Sequence, residues 1–189
     1  MSTLSLELRS LFIHVPKCAG TSMERGPKWN EGAGHDTLFD FQDKVNLDSV
    51  IKWAFVRNPW TRLESFYVDS PEARELAGGF ERFVDFLHEC RDSLDPDDFS
   101  WTDVRGDGIL DRIHIYSQFS MLSIGGEMKL DFVGHFESLE RDWKSVCDLL
   151  GVEHSPLPHH RKRAAGSQVD WTPGMRKKVM EIYPRDFWS

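Results

Sequence analysis

The sequence predicts an α/β fold: a mostly parallel central sheet flanked by helices in three layers, entered through a P-loop-like strand, loop and helix. Two observations carry this. Leu11–Val15 and Val50–Val56 are short apolar runs bounded by turn residues, with the length and composition of buried strands. Elsewhere apolar residues recur at spacings of three and four, as in Phe80, Phe83, Val84 and Leu87, which marks an amphipathic helix. Strands alternating with helices imply crossover connections and parallel pairing.

Each element has its own signal. Pro16 ends the first strand, Pro16–Ser22 reads as a tight loop in which Gly20 permits unusual backbone angles, and a helix starts near Thr21. Residues 24–35, rich in Gly, Pro, Asn and Lys, read as an exposed loop. Asn58 and Pro59 follow the second strand as N-cap and first helical residue, and that helix carries Leu63 and Phe66 on one face. The acidic, turn-rich stretch 91–108 is a surface excursion, and Ile113–Met121 reads as a helix, with a strand as the alternative. Gly125 and Gly126 turn the chain into a third strand at Leu130–Val133. Ser138 is placed to cap a helix holding Leu139, Trp143, Val146, Leu149 and Leu150, which Gly151 ends. Pro173 opens a last helix reaching about Tyr183.

Length and composition bound the function. At 189 residues, 40% hydrophobic and 29% charged, the chain fits one domain, 1–189, with a real core. No run approaches the roughly 18 apolar residues of a membrane helix, and no secretory signal is visible, so the expectation is a cytoplasmic protein with no membrane partner. Three widely spaced cysteines, Cys18, Cys90 and Cys147, suit free thiols in a reducing compartment. A net charge of −8 argues against nucleic acid as a partner. Basic residues do gather in two islands, Arg161–Arg163 and Arg176–Lys178; the second is read as a solvated helix face. No His/Cys cluster has zinc spacing, and no metal is expected.

In open parallel sheets ligands sit at the carboxyl ends of the strands. The loops Pro16–Ser22 and Arg57–Pro59 both leave such ends. The first is suited to an anion: N–H groups at a helix start are unpaired, Gly20 lets the backbone approach phosphate oxygens, Thr21 and Ser22 add hydroxyls and Lys17 adds charge. Taken alone, Gly20-Thr21-Ser22 reads equally well as a turn and a cap. Aligned on the kinase P-loop at Gly20 and Ser22, the chain has Val15 at the first glycine and Thr21 at the lysine. With its lysine at Lys17 instead, and no apolar strand ending in a Mg²⁺-binding Asp, it fits a metal-free nucleotide better than a triphosphate.

Phe12-Ile-His-Val-Pro-Lys-Cys-Ala-Gly-Thr-Ser22 resembles the 5′-phosphosulfate loop of the carbohydrate-type sulfotransferases. Phe55-Val-Arg-Asn-Pro-Trp-Thr-Arg-Leu-Glu-Ser-Phe-Tyr67 resembles their 3′-phosphate motif, in which Arg and Ser stand eight apart. Gln118 with Asp131–Glu140, and Tyr183-Pro-Arg-Asp-Phe187, resemble their late core segment and carboxyl-terminal helix end. The resemblance implies transfer of a sulfuryl group from 3′-phosphoadenosine 5′-phosphosulfate (PAPS) to a hydroxyl acceptor, a glycan or small molecule, leaving 3′-phosphoadenosine 5′-phosphate (PAP). It implies that Lys17, Cys18, Ala19, Gly20, Thr21 and Ser22 hold the phosphosulfate, and that Arg57 and Ser65 hold the 3′-phosphate. Arg161 would approach that same phosphate, although the surrounding loop departs from the commonest family patterns. Cys18 stands where the family often carries Thr and is read as a backbone contact, not a nucleophile.

The reaction needs a charge to stabilise the leaving phosphate, for which Lys17 is the candidate, and a base to take the acceptor's proton. Histidine suits the second task. Among eight histidines, His14 inside the first strand reads as a packed core residue, His135 as structural, and His159 and His160 as loop residues able to close over a nucleotide. His35, in Gly34-His35-Asp36, resembles the catalytic Gly-His of the uronyl 2-O-sulfotransferase branch and is the chosen base, with Glu31 in reserve. Trp29, Trp60 and Trp101 offer faces for sugar stacking or for the core. The competing functions are a P-loop nucleotide kinase-like enzyme, which requires ATP and Mg²⁺, and a non-catalytic PAP-binding module.

Overall fold

The computed structural model describes residues 1–23, 34–91, 112–157 and 169–187. In chain order they form β1 (Thr3–Ser5), β2 (Ser10–Ile13), α1 (Gly20–Met23), α2 (Leu38–Phe41), β3 (Ile51–Val56), α3 (Pro59–Asp69), α4 (Pro71–Ala77) and α5 (Phe80–Glu89). After residue 111 come α6 (Gln118–Met121), β4 (Ser123–Ile124), β5 (Glu127–Met128), β6 (Phe132–His135), α7 (Leu139–Leu150) and α8 (Pro173–Ile182). The architecture is α/β, with a mostly parallel mixed sheet flanked by helices. The described residues divide into two compact units, one from 1–57 and 121–163, the other from 58–120 and 164–189.

The first unit contains the sheet, in the order β1-β2-β3-β6. β2, β3 and β6 run parallel, so their carboxyl ends share one edge, while β1 pairs antiparallel to β2. Trp53 centres this core. It is fully buried, stacks on Phe12 at 4.5 Å, lies 6.1 Å from Trp143 of α7, and donates its indole N–H to Ser10 Oγ at 2.8 Å. That last bond explains how a polar serine is tolerated inside a sheet: both polar groups are satisfied. Gly134 is fixed by packing, since a Cβ there would lie 2.6 Å from the Phe55 ring.

The second unit is built around aromatic side chains. Phe66, Tyr67, Phe80, Phe83 and Tyr183 are buried together with Val179 and Ile182, and α5 packs on α8. Two of its helices, α3 and α8, start with signals read from sequence. Asn58 Oδ1 accepts from Trp60 N (3.0 Å) and Thr61 N (3.4 Å), with Pro59 at the first helical position. Ser70 with Pro71 repeats that pattern for α4, and Thr172 with Pro173 for α8. The αL residues Gly78 and Gly151 end α4 and α7.

Four readings need correction. Ile113–Met121 is not one helix but a 3-10 turn at Arg112–His114 followed by α6. The carbonyls of this stretch are taken by side chains: Arg62 donates to Tyr116 O (2.8 Å) and His114 O (3.3 Å), and the Tyr183 hydroxyl to Ile115 O (2.6 Å). The third strand is Phe132–His135, two residues later than Leu130–Val133, because Asp131 is pinned by Lys52: its carboxylate accepts from Lys52 N at 2.7 Å. Ser138 makes no side-chain cap of α7; its hydroxyl donates to Asp142 Oδ2 at 2.8 Å. Finally, Gly20 is not among the residues at positive φ. The left-handed residues of that loop are Lys17 (φ 69°) and Ala19 (φ 67°).

Candidate functional site

The carboxyl edge of the parallel strands gathers three segments. Residues 14–20 leave β2, Arg57 leaves β3, and Phe136 follows β6. Arg57 ties them together. Its Nη1 donates to the Lys17 carbonyl at 3.2 Å, and its guanidinium lies 4.2 Å from the centre of the Phe136 ring. A planar cation on an aromatic face and a bond to a backbone carbonyl together fix an otherwise flexible side chain. The two sequence motifs thus meet through one hydrogen bond.

The loop that Arg57 grips is strained. Lys17 and Ala19 both hold left-handed backbone angles without being glycine, each costing of order 1–3 kcal/mol. Such strain persists only where the surroundings enforce it. Ser22 N and Met23 N then donate to Ala19 O at 2.9 and 3.3 Å, starting α1. Cys18 is buried, with its thiol 3.5 Å from Pro16 O, an inward position consistent with a packing role.

His35 is brought to the same region by β1. Ser2 N donates to Gly34 O (2.8 Å) and Ser2 Oγ to Asp36 O (2.6 Å), while Ser2 Oγ accepts from His14 N (3.0 Å). Downstream, Asp40 accepts from both Thr37 N and Thr37 Oγ1 at 2.7 Å, and Lys44 pairs with Asp36 at 2.7 Å. The segment carrying His35 is therefore held on both sides. The His35 ring lies 4.6 Å from that of His14, and the His14 ring in turn fills the space where a Cβ of Gly20 would be.

Lys17, Gly20, Arg57 and His35 thus belong to one unit and one sheet edge. Ser65 belongs to the second unit, buried on α3. Arg161, Glu31, His159, His160, Trp29 and Trp101 lie outside the described residues. Trp60 is taken up internally: its indole N–H donates to Arg176 O (3.2 Å), the Arg176 guanidinium lies 5.0 Å from its ring, and Phe187 packs at 4.9 Å. Of the second basic island, Lys178 pairs with Asp85 at 2.5 Å and Lys177 with Glu181 at 3.7 Å. Sequence reasoning gave Ser2 no role, took Phe136 only as part of the segment Asp131–Glu140, and read His14 as a packed core residue, which its burial bears out. A lone serine or phenylalanine carries no signal, whereas His14 stood two residues before the loop that opens at Pro16.

Among the described residues no three His, Cys, Asp or Glu side chains gather as a metal site, and no helix is long and apolar enough to cross a membrane. A model described as the sulfotransferase family matches residues 7–188, which run through both units. No curated protein and no solved structure matches the chain.

Proposed function

Because the chain belongs to the sulfotransferase family, whose members move a sulfuryl group to an acceptor, we propose that it takes PAPS as donor and a hydroxyl group as acceptor. The observation that carries this is the bond from Arg57 Nη1 to Lys17 O. It joins the motif that resembles a phosphosulfate loop to the motif that resembles a 3′-phosphate site, as one adenosine bisphosphate spanning both requires. The family match through both units supports reading 1–189 as one sulfotransferase domain of the P-loop-like, three-layer kind.

In this reading the loop 17–22 receives the 5′-phosphosulfate, and the motif resemblance assigns Arg57, Ser65 and Arg161 to the 3′-phosphate. His35 takes the proton of the acceptor hydroxyl as its oxygen bonds to sulfur. The bond from sulfur to the bridging oxygen breaks, and Lys17 stabilises the charge left on the 5′-phosphate of PAP. The place of His35 beside His14, whose ring lies against Gly20, supports this choice of base, and the Gly34-His35 resemblance to the uronyl 2-O-sulfotransferase branch favours a carbohydrate acceptor.

The test is a melting experiment with the intact chain. A ligand that binds the folded state raises the melting temperature with its affinity and concentration. PAP is expected to raise it, and ATP with Mg²⁺ is not; the reverse result would support the kinase-like alternative. Transfer of label from PAPS to a panel of hydroxyl acceptors then separates an enzyme from a PAP-binding module.

A further inference from the structure

The His14 ring is buried, with 7% of the residue exposed, at the carboxyl end of β2. An ideal Cβ built on Gly20 would lie 1.8 Å from His14 Nε2, 2.0 Å from Cδ2 and 2.4 Å from Cε1. No real pair of atoms tolerates these distances, so one of the two would have to move. The ring has little room to do so: Phe12 stacks on it at 6.0 Å, His35 packs at 4.6 Å, and its own backbone N–H is held by Ser2 Oγ. The glycine at position 20 is therefore required by the histidine at position 14 and not by a left-handed angle. Its neighbour Ala19 carries such an angle without being glycine.

We propose that His14 is a positioning residue: its imidazole, held also at Nδ1 by the Met1 amino group at 2.5 Å, occupies the volume above Gly20 and so sets the path of the loop 17–20, while its contact with His35 seats that ring. One side chain thereby fixes the loop that takes the donor and the ring that takes the proton. The inference rests on the donor reading given above for the names of those two roles, but the contact between His14 and Gly20 does not.

Four variants test it: Gly20→Ala, His14→Ala, the double variant, and His14→Phe, which keeps a ring of similar breadth. The readouts are PAP affinity, melting temperature, and the separate kcat and KM for PAPS in label transfer. Gly20→Ala is expected to abolish the PAP-induced rise in melting temperature, and adding His14→Ala is expected to restore much of it. His14→Ala alone should lower kcat by about 10²-fold, the scale for misplacing a reacting group by an ångström, and raise KM as the loop loosens. His14→Phe should keep the KM of the natural protein more nearly than His14→Ala does. Additive losses in the double variant, or a Gly20→Ala protein that binds PAP normally, would overturn the proposal. If the natural protein melts cooperatively yet gains nothing from PAP, the donor reading has failed. The melting temperatures of the same four variants then decide the steric pairing, where rescue supports it and additivity overturns it.

Discussion

Arg57 and Arg62 stand five residues apart, in different units, and show two uses of the same side chain. Arg62 is 2% exposed and is consumed by the fold, donating to Tyr116 O and His114 O beside the buried Asp186. Arg57 is only half-buried, at a strand end, gripping the carbonyl of a strained lysine. In the second unit polar groups close on one another inside an aromatic core. In the first they hold a backbone in a shape it would not otherwise adopt. The difference lies in what the charge holds: Arg62 closes on carbonyls inside the second unit, whereas Arg57 at the sheet edge holds the carbonyl of a residue in a left-handed conformation.

The comparison breaks first, and most visibly, at Lys17. Lys17→Ala is expected to lower the rate of sulfuryl transfer by roughly 10²–10³-fold, the scale for losing one charge-stabilising donor. Lys17→Gly should do the same while keeping stability within about 1 kcal/mol, because glycine accepts the φ of 69° without strain. Initial rates with labelled PAPS, beside urea unfolding curves, check both. Unchanged turnover would take Lys17 out of the mechanism.

Asp186 gives the opposite pattern. It accepts from Ser117 Oγ (2.6 Å), Gln118 N (2.8 Å) and Phe119 N (2.9 Å), so it starts α6 from the far end of the sequence. Asp186→Ala removes the acceptor of three donors, one buried and two part-buried. At about 1–3 kcal/mol for each unsatisfied group, a loss of about 3 kcal/mol or more in unfolding free energy is expected. Burial pushes the Asp186 carboxyl up from its ordinary value of 3.8, against the Arg62 guanidinium and the three donors, which pull it down. With the folded value raised, the contribution of this group is complete below 3.8 and is lost as pH rises through the folded value. Relative to Asp186→Asn, the natural protein should therefore lose stability as pH rises above 3.8. A difference that stays constant or grows with pH would show that the carboxyl is not raised.

Arg57 sharpens the contrast from the ligand side. Arg57→Ala should weaken PAP by about 10–10²-fold, the worth of a lost charge-assisted hydrogen bond. It should weaken adenosine 5′-phosphosulfate less, since that nucleotide has no 3′-phosphate and feels only the loosened Lys17 loop. Titration calorimetry with both ligands decides. Equal losses would mean that Arg57 acts through Lys17 alone.

Much of this was legible because it was written in local chemistry. The strands β2 and β3, the cap at Asn58–Pro59, the amphipathic α5 and the glycine stop at Gly151 all follow from residues within a few positions of one another. What was missed either lacks an apolar signal or depends on partners far away in the chain. β1 is made of Thr3, Leu4 and Ser5, whose buried hydroxyl residues give no apolar signal. The break between Arg112 and Met121 is made by Arg62, Tyr183 and Asp186, from 50 or more residues off in either direction. At the site, Lys17 and Arg57 were readable as motifs. Their contact was not, because it runs from a side chain to a carbonyl that any residue at position 17 would present.

The finest cut through the comparison falls between two adjacent residues. Arg57 and Asn58 share one tripeptide with Pro59, yet Arg57 faces Lys17 in the first unit while Asn58 turns back onto α3 in the second. The Asn58 side chain accepts from Trp60 N and Thr61 N, so Asn58→Ala should cost about 1 kcal/mol, the usual worth of an N-cap, or some 2–4 °C in melting temperature for a chain of this size. Asn58→Ser keeps an acceptor in place and should recover most of that loss. PAP affinity per folded molecule should change far less than in Arg57→Ala. If it fell as far, the start of α3 would belong to the ligand site as much as to the helix, and the line drawn between the two kinds of polar group would pass after Asn58 and not before it.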